Sequence, residues 1–97
     1  MNVKNAIVIG SGKIAAGCIG ILAGQRAAVT VLETEQQPLS CVRLICGNLK
    51  LPYRSITDYE QITGYLRSIR KNTLIISANN NYLFPAVVLS KRNLCIA

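Results

Sequence analysis

Residues 5–15 read Asn-Ala-Ile-Val-Ile-Gly-Ser-Gly-Lys-Ile-Ala, an unbroken apolar run that ends on a glycine pair and passes at once into helical spacing. Such a run fits a strand buried on both faces, the condition of a parallel sheet with helices on each side. The glycines allow a tight turn. The helix after it presents unpaired backbone N–H groups and the positive end of its dipole at that turn. Gly10, Ser11, Gly12 and Lys13 are therefore the candidate site for a phosphate or other anionic group of a substrate.

The rest of the chain repeats this alternation. Ile14, Cys18, Ile21 and Leu22 fall at helical spacing over residues 13–24, with Gly24 placed as a stop. Residues 28–32 form a second strand. Pro38 opens a helix that carries Leu39, Val42, Cys46 and Leu49 on one face, and residues 53–56 form a shorter third strand. Thr57-Asp58-Tyr59-Glu60 reads as a capping box, starting a helix that buries Ile62, Leu66 and Ile69. Residues 73–77 form a fourth strand, residues 78–81 a polar loop, residues 85–90 a short helix, and residues 94–97 the start of a fifth strand. Connections of this length suit right-handed crossovers between parallel strands. The expected fold is α/β: one domain over residues 1–97, a Rossmann-like parallel sheet of order 3-2-1-4-5 with helices on both faces, truncated after strand five.

Two stretches bear on function. Residues 10–15 fit the G-x-G-x-x-A form of the dinucleotide fingerprint, and Glu33 follows about 20 residues on, where an acid meets a ribose hydroxyl. A NAD(P)-type dinucleotide-binding module is one reading of that spacing. A carboxylate or phosphate of another substrate facing Lys13 is a second, and a turn that is glycine-rich for steric reasons alone is a third. Asn79-Asn80-Asn81-Tyr82-Leu83-Phe84-Pro85 follows strand four at the carboxyl edge, where open α/β sheets bind ligands. Its three amides supply donors and acceptors, and Tyr82 and Phe84 can wall an apolar slot.

Composition narrows the partners. The net charge is +7, from 11 Lys and Arg against four acidic residues, yet no basic cluster exceeds Arg70-Lys71 or Lys91-Arg92. No aromatic residues interleave with them to stack on bases, which argues against a nucleic-acid surface. Charged residues are 15% of the chain and apolar ones 51%, so some apolar surface is expected to be covered, by a second copy or by a missing C-terminal half. There is no histidine, and Cys18, Cys41, Cys46 and Cys95 form no C-x-x-C pair, so no zinc site is expected; reduced thiols suit a cytoplasmic protein. No apolar run approaches the roughly 18 to 20 residues of a membrane span. Asp58 and Glu60 are used in starting a helix and the cysteines lack a partner base, leaving no catalytic group.

Residues 7–15, the Leu51-Pro52-Tyr53 lead into strand three and residues 73–85 together resemble the N-terminal half of the folate-dependent formyltransferases. That family includes methionyl-tRNA and glycinamide ribonucleotide formyltransferases and the formylation domains attached to peptide or polyketide synthetases. Residues 88–96 are similar to its approach to the catalytic strand. The resemblance implies transfer of a formyl group from 10-formyltetrahydrofolate to an amine. It implies that Gly12 and Lys13 lie beside the acceptor, a small-molecule amine or a nucleotide-sugar-like compound, in the turn that begins at Gly10. Asn81, Tyr82, Leu83 and Phe84 would line the pterin pocket of the cofactor, largely through backbone hydrogen bonds. It also implies an Asn-x-His segment after strand five and a later Asp, none of which the 97 residues supply. No catalytic residue is assigned, and the isolated chain is expected to be inactive and to associate through an uncovered sheet edge. An interaction subunit that completes its sheet by oligomerising is the remaining alternative.

Overall fold

In the computed structural model, residues 4–34, 40–56, 58–69, 73–78 and 95–96 are described. The first strand, β1 (Asn5–Gly10), lies at the centre of an all-parallel sheet. It pairs on one side with β2 (Ala28–Glu33) and on the other with β4 (Thr73–Ala78), while the three-residue β3 (Tyr53–Ser55) lies outside β2. The order β3-β2-β1-β4 agrees with expectation. A two-residue stretch, β5 (Cys95–Ile96), pairs in parallel with β4 through Leu74↔Cys95 and Ile75↔Ile96. The expected loop beyond Ala78 and the helix at 85–90 lie outside the described residues.

Strand periodicity sorts the apolar side chains into two cores. Ala6, Val8, Val29 and Val31 point to the face covered by α1 (Gly12–Gly24) and α2 (Cys41–Leu49). Ile7, Ile9, Leu32 and Ile75 point to the other face, where Ile62 and Leu66 of α3 (Tyr59–Arg67) seal them. Successive side chains of a strand alternate between faces, so the continuous apolar run in β1 serves both cores at once.

Of the residues expected on the buried face of α1, Leu22 alone is fully buried. Ala15, Ile19 and Leu22 enter the core, whereas Ile14 and Ile21 are 72% and 65% exposed and Cys18 is half-buried. The reason lies in the sequence. Apart from Lys13, residues 12–24 are all apolar or glycine, so several stripes at i, i+4, i+7 were open and packing against the sheet chose between them.

Two helix starts also differ from the sequence reading. Helix α2 begins at Cys41, not Pro38, because Ser40 is its N-cap: the Ser40 Oγ accepts from the Arg43 N–H at 2.9 Å. Val42 and Cys46 are buried as expected, while Leu49 is 44% exposed and Pro38 and Leu39 lie outside the described residues. Helix α3 is capped by Asp58, whose carboxylate accepts from the Glu60 N–H at 2.9 Å. Thr57, expected to close that end, lies outside the described residues. At the far end of α2, Lys50 takes the left-handed conformation (φ 55°) and donates its N–H to the Cys46 and Gly47 carbonyls, completing the helix without a glycine.

No helix among the described residues is long and apolar enough to cross a membrane.

Candidate functional site

The β1–α1 turn sits where the chain reverses its direction of travel across the sheet, since β1 is flanked by β2 on one side and β4 on the other. In open α/β sheets that switch point, at the carboxyl ends of the strands, is where ligands dock. Gly10 is pressed between its neighbours, in register with Glu33 of β2 and Ala78 of β4. A Cβ there would stand 2.7 Å from the Ala78 carbonyl carbon and closer still to its oxygen, so the backbones approach as only glycine allows. The Ser11 N–H donates to the Ala78 carbonyl at 3.2 Å and the Thr34 N–H donates to the Gly10 carbonyl at 3.2 Å, tying the turn to both adjacent strands.

Gly12 then takes φ 80° and opens α1. The Ser11 side chain does not cap α1 and no acidic residue occupies the first turn, so that turn itself holds no counter-charge for the helix end. Ser11 is buried, Gly12 half-buried and Lys13 exposed. The exposed ammonium and the dipole end thus act on the same edge of the sheet, and both favour an anionic group.

Glu33 does not join them. It shares strand parity with Val29 and Val31, so its side chain turns under α2 and is fully buried. Ser40 Oγ donates to its Oε1 at 2.8 Å, and the Tyr53 hydroxyl donates to the same oxygen. Its Oε2 is buried without a hydrogen-bond partner. The acid therefore fastens the start of α2 and the edge strand β3 to the end of β2, a role its spacing from Gly10 did not announce. Of its partners, Ser40 carried a signal, a polar residue just ahead of an apolar helical run, that the helix start expected at Pro38 passed over. Tyr53 carried no such signal.

Burial and the nearby Glu33 charge push the Cys46 thiol from 9.0 up to about 11. Burial, followed by the hydrogen bond to Glu33 and its charge, pushes the Tyr53 phenol from 10.0 up to about 12. Both groups hold their proton more tightly folded than unfolded. They stabilise the fold fully below pH 9, and that contribution is lost as pH rises through their folded values. The urea midpoint should thus hold steady from pH 6.5 to 8.5 and fall from about pH 9 upward. Tyr53→Phe should flatten the upper part of that fall; an unchanged profile in this variant would remove the phenol from the account.

Asn81, Tyr82, Leu83 and Phe84, the residues expected to line a pterin pocket, lie outside the described residues. A cavity of about 240 Å³ opens at the opposite edge of the sheet, among Asn5, Thr30, Tyr65, Ser68 and Thr73. It is remote from the glycine turn, at the amino ends of the strands, and among the described residues no charged side chain lines it. Comparison with protein-family models, curated proteins and solved structures gives no match to this chain.

Proposed function

We infer that the chain is the ligand-holding portion of an enzyme that transfers a formyl group from 10-formyltetrahydrofolate to an amine. The observation that carries this reading is the pairing of an anion-ready turn at Gly10, Ser11, Gly12 and Lys13 with an inward-facing Glu33. The turn suits a phosphate or carboxylate of the acceptor. The buried acid leaves the rival dinucleotide reading without its ribose partner. The resemblance of residues 73–85 supplies the folate side, with Asn81, Tyr82, Leu83 and Phe84 as the pterin wall. On this reading the sheet runs in the order 3-2-1-4-5, with β5 leading toward the catalytic segment. The formyl-transfer groups themselves, an Asn-x-His and an Asp, have no counterpart in a chain without histidine.

Calorimetric titration tests this reading. The chain should bind 10-formyltetrahydrofolate saturably and show no saturable heat with NAD or NADP. Lys13→Ala should leave folate affinity within about twofold, because Lys13 belongs to the acceptor side, whereas Tyr82→Ala should weaken it about tenfold, roughly 1.4 kcal/mol. Saturable NAD binding that Glu33→Ala abolishes in a still-folded chain would overturn the proposal. A single-turnover assay with an amine acceptor should give no product above background.

A further inference from the structure

On the α3 side of the sheet the apolar core stops short of the amino ends of the strands. Followed back along that face, β1 presents Ile9, Ile7 and then Asn5, β2 presents Leu32, Thr30 and Ala28, and β4 presents Ile75 and then Thr73. The large apolar members are the ones that Ile62 and Leu66 of α3 cover. Strand register brings the others together: Asn5 lies between Ala28 and Thr73, and Thr30 lies beside Ile7. Helix α3 ends at Arg67, where the Ser68 N–H and hydroxyl both donate to the Tyr65 carbonyl, at 3.2 and 2.9 Å. The cavity of about 240 Å³ lies between this helix end and the polar strip, with Tyr65, Ser68 and Ile69 on its helix side.

The lining selects the occupant. Asn5, Thr30 and Tyr65 are half-buried, and their side chains hydrogen-bond to no other described residue. Polar groups held in this way keep their bonding capacity for whatever enters the cavity. With Ser68 and Thr73 they make a lining of hydroxyls and one amide, groups of a kind that both donates and accepts. Hydroxyls on a ligand do the same. Ile7, Ile69 and the Tyr65 ring add apolar contact for the C–H face of a saturated ring. No charged side chain lines the cavity among the described residues, so an ion would leave water without a counter-charge. Its volume falls below the about 300–1,000 Å³ of pockets that take drug-sized ligands, which limits the occupant to a single ring.

We propose that this cavity binds an uncharged single-ring polyol, a monosaccharide or cyclitol, its hydroxyls bonded to Asn5, Thr30 and Tyr65 and its C–H face against Ile7 and Ile69. The site lies at the opposite edge of the sheet from the glycine turn and is independent of the formyl-transfer reading.

Titration of the isotope-labelled chain with D-glucose, D-galactose, D-ribose and myo-inositol, read by amide chemical shifts, tests the site. At least one of the four should bind saturably in the millimolar range and move the amides of Asn5, Thr30 and Tyr65. Thr30→Val keeps the shape of the side chain and removes its hydroxyl, so affinity should fall about fivefold, the worth of one hydrogen bond. Ala28→Leu fills the cavity from an exposed position on β2 and should abolish binding. Leu44→Ala, on the helix layer across the sheet, should leave binding unchanged. Urea midpoints check that each variant is folded. No saturable shift with any of the four compounds, or shifts that persist in Ala28→Leu, would overturn the proposal. So would tighter binding of adenine or uracil at the same amides, which would assign the cavity to a planar heterocycle. Tighter binding of inorganic phosphate there would overturn it in favour of an anion.

Discussion

Gly10→Ala should leave a chain that no longer folds, or one destabilised by about 4 kcal/mol or more. The added methyl would be driven into the Ala78 carbonyl, which is backbone at the centre of the sheet and cannot swing aside. Gly10 also sits at φ 153°, where an L side chain is strained whatever the space. A domain of this size is stable by about 5–15 kcal/mol in total, so one clash at β1 consumes much of it. The control is Gly17→Ala, on the exposed side of α1 with nothing near its missing Cβ. That change should raise stability by about 0.5–1 kcal/mol through helix propensity alone. Urea unfolding of the two variants beside the parent measures both signs. A Gly10→Ala protein within about 1 kcal/mol of the parent would mean that β1 and β4 do not approach as described.

The second large effect is expected at Glu33, and the choice of substitution matters. Glu33→Ala removes the shared acceptor of the Ser40 and Tyr53 hydroxyls and leaves a void under α2. Leaving a buried hydroxyl unsatisfied costs about 1–3 kcal/mol, and the cavity adds to it, so a loss of about 3–4 kcal/mol is expected. Glu33→Gln keeps an oxygen for both donors and removes the charge whose second oxygen has no partner. Its cost should be at most about 1 kcal/mol. The two variants, compared by urea midpoint, separate a fastening role from a ligand-binding one. Were Glu33 a ribose acceptor, its loss would lower nucleotide affinity and leave the midpoint nearly unchanged.

Glu33 also shows what a sequence can and cannot reveal about such a site. Its distance from Gly10 matched the spacing of a ribose-binding acid, but spacing along a chain does not say which face of a strand a side chain takes. Parity did hold that information: Val29, Val31 and Glu33 must share a face. Which helix covered that face was decided by the order of the strands. Strands β1, β2 and β4 were legible because short, mostly apolar runs between polar breaks have few other uses. Helix α1 was legible as a helix but not in its orientation, because an apolar residue stands at nearly every position and periodicity selects none. The starts of α2 and α3 shifted by one to three residues because several capping residues lie close together, Pro38 beside Ser40 and Thr57 beside Asp58. Only side-chain geometry shows which oxygen reaches the first N–H groups.

The bond from Ser11 to the Ala78 carbonyl has a mechanical consequence. Ala78 closes β4 and is also the residue from which the Asn79–Asn80–Asn81 stretch departs. A displacement of Ala78 is felt one hydrogen bond away at the mouth of α1, so the end of β4 and the start of α1 move as one unit.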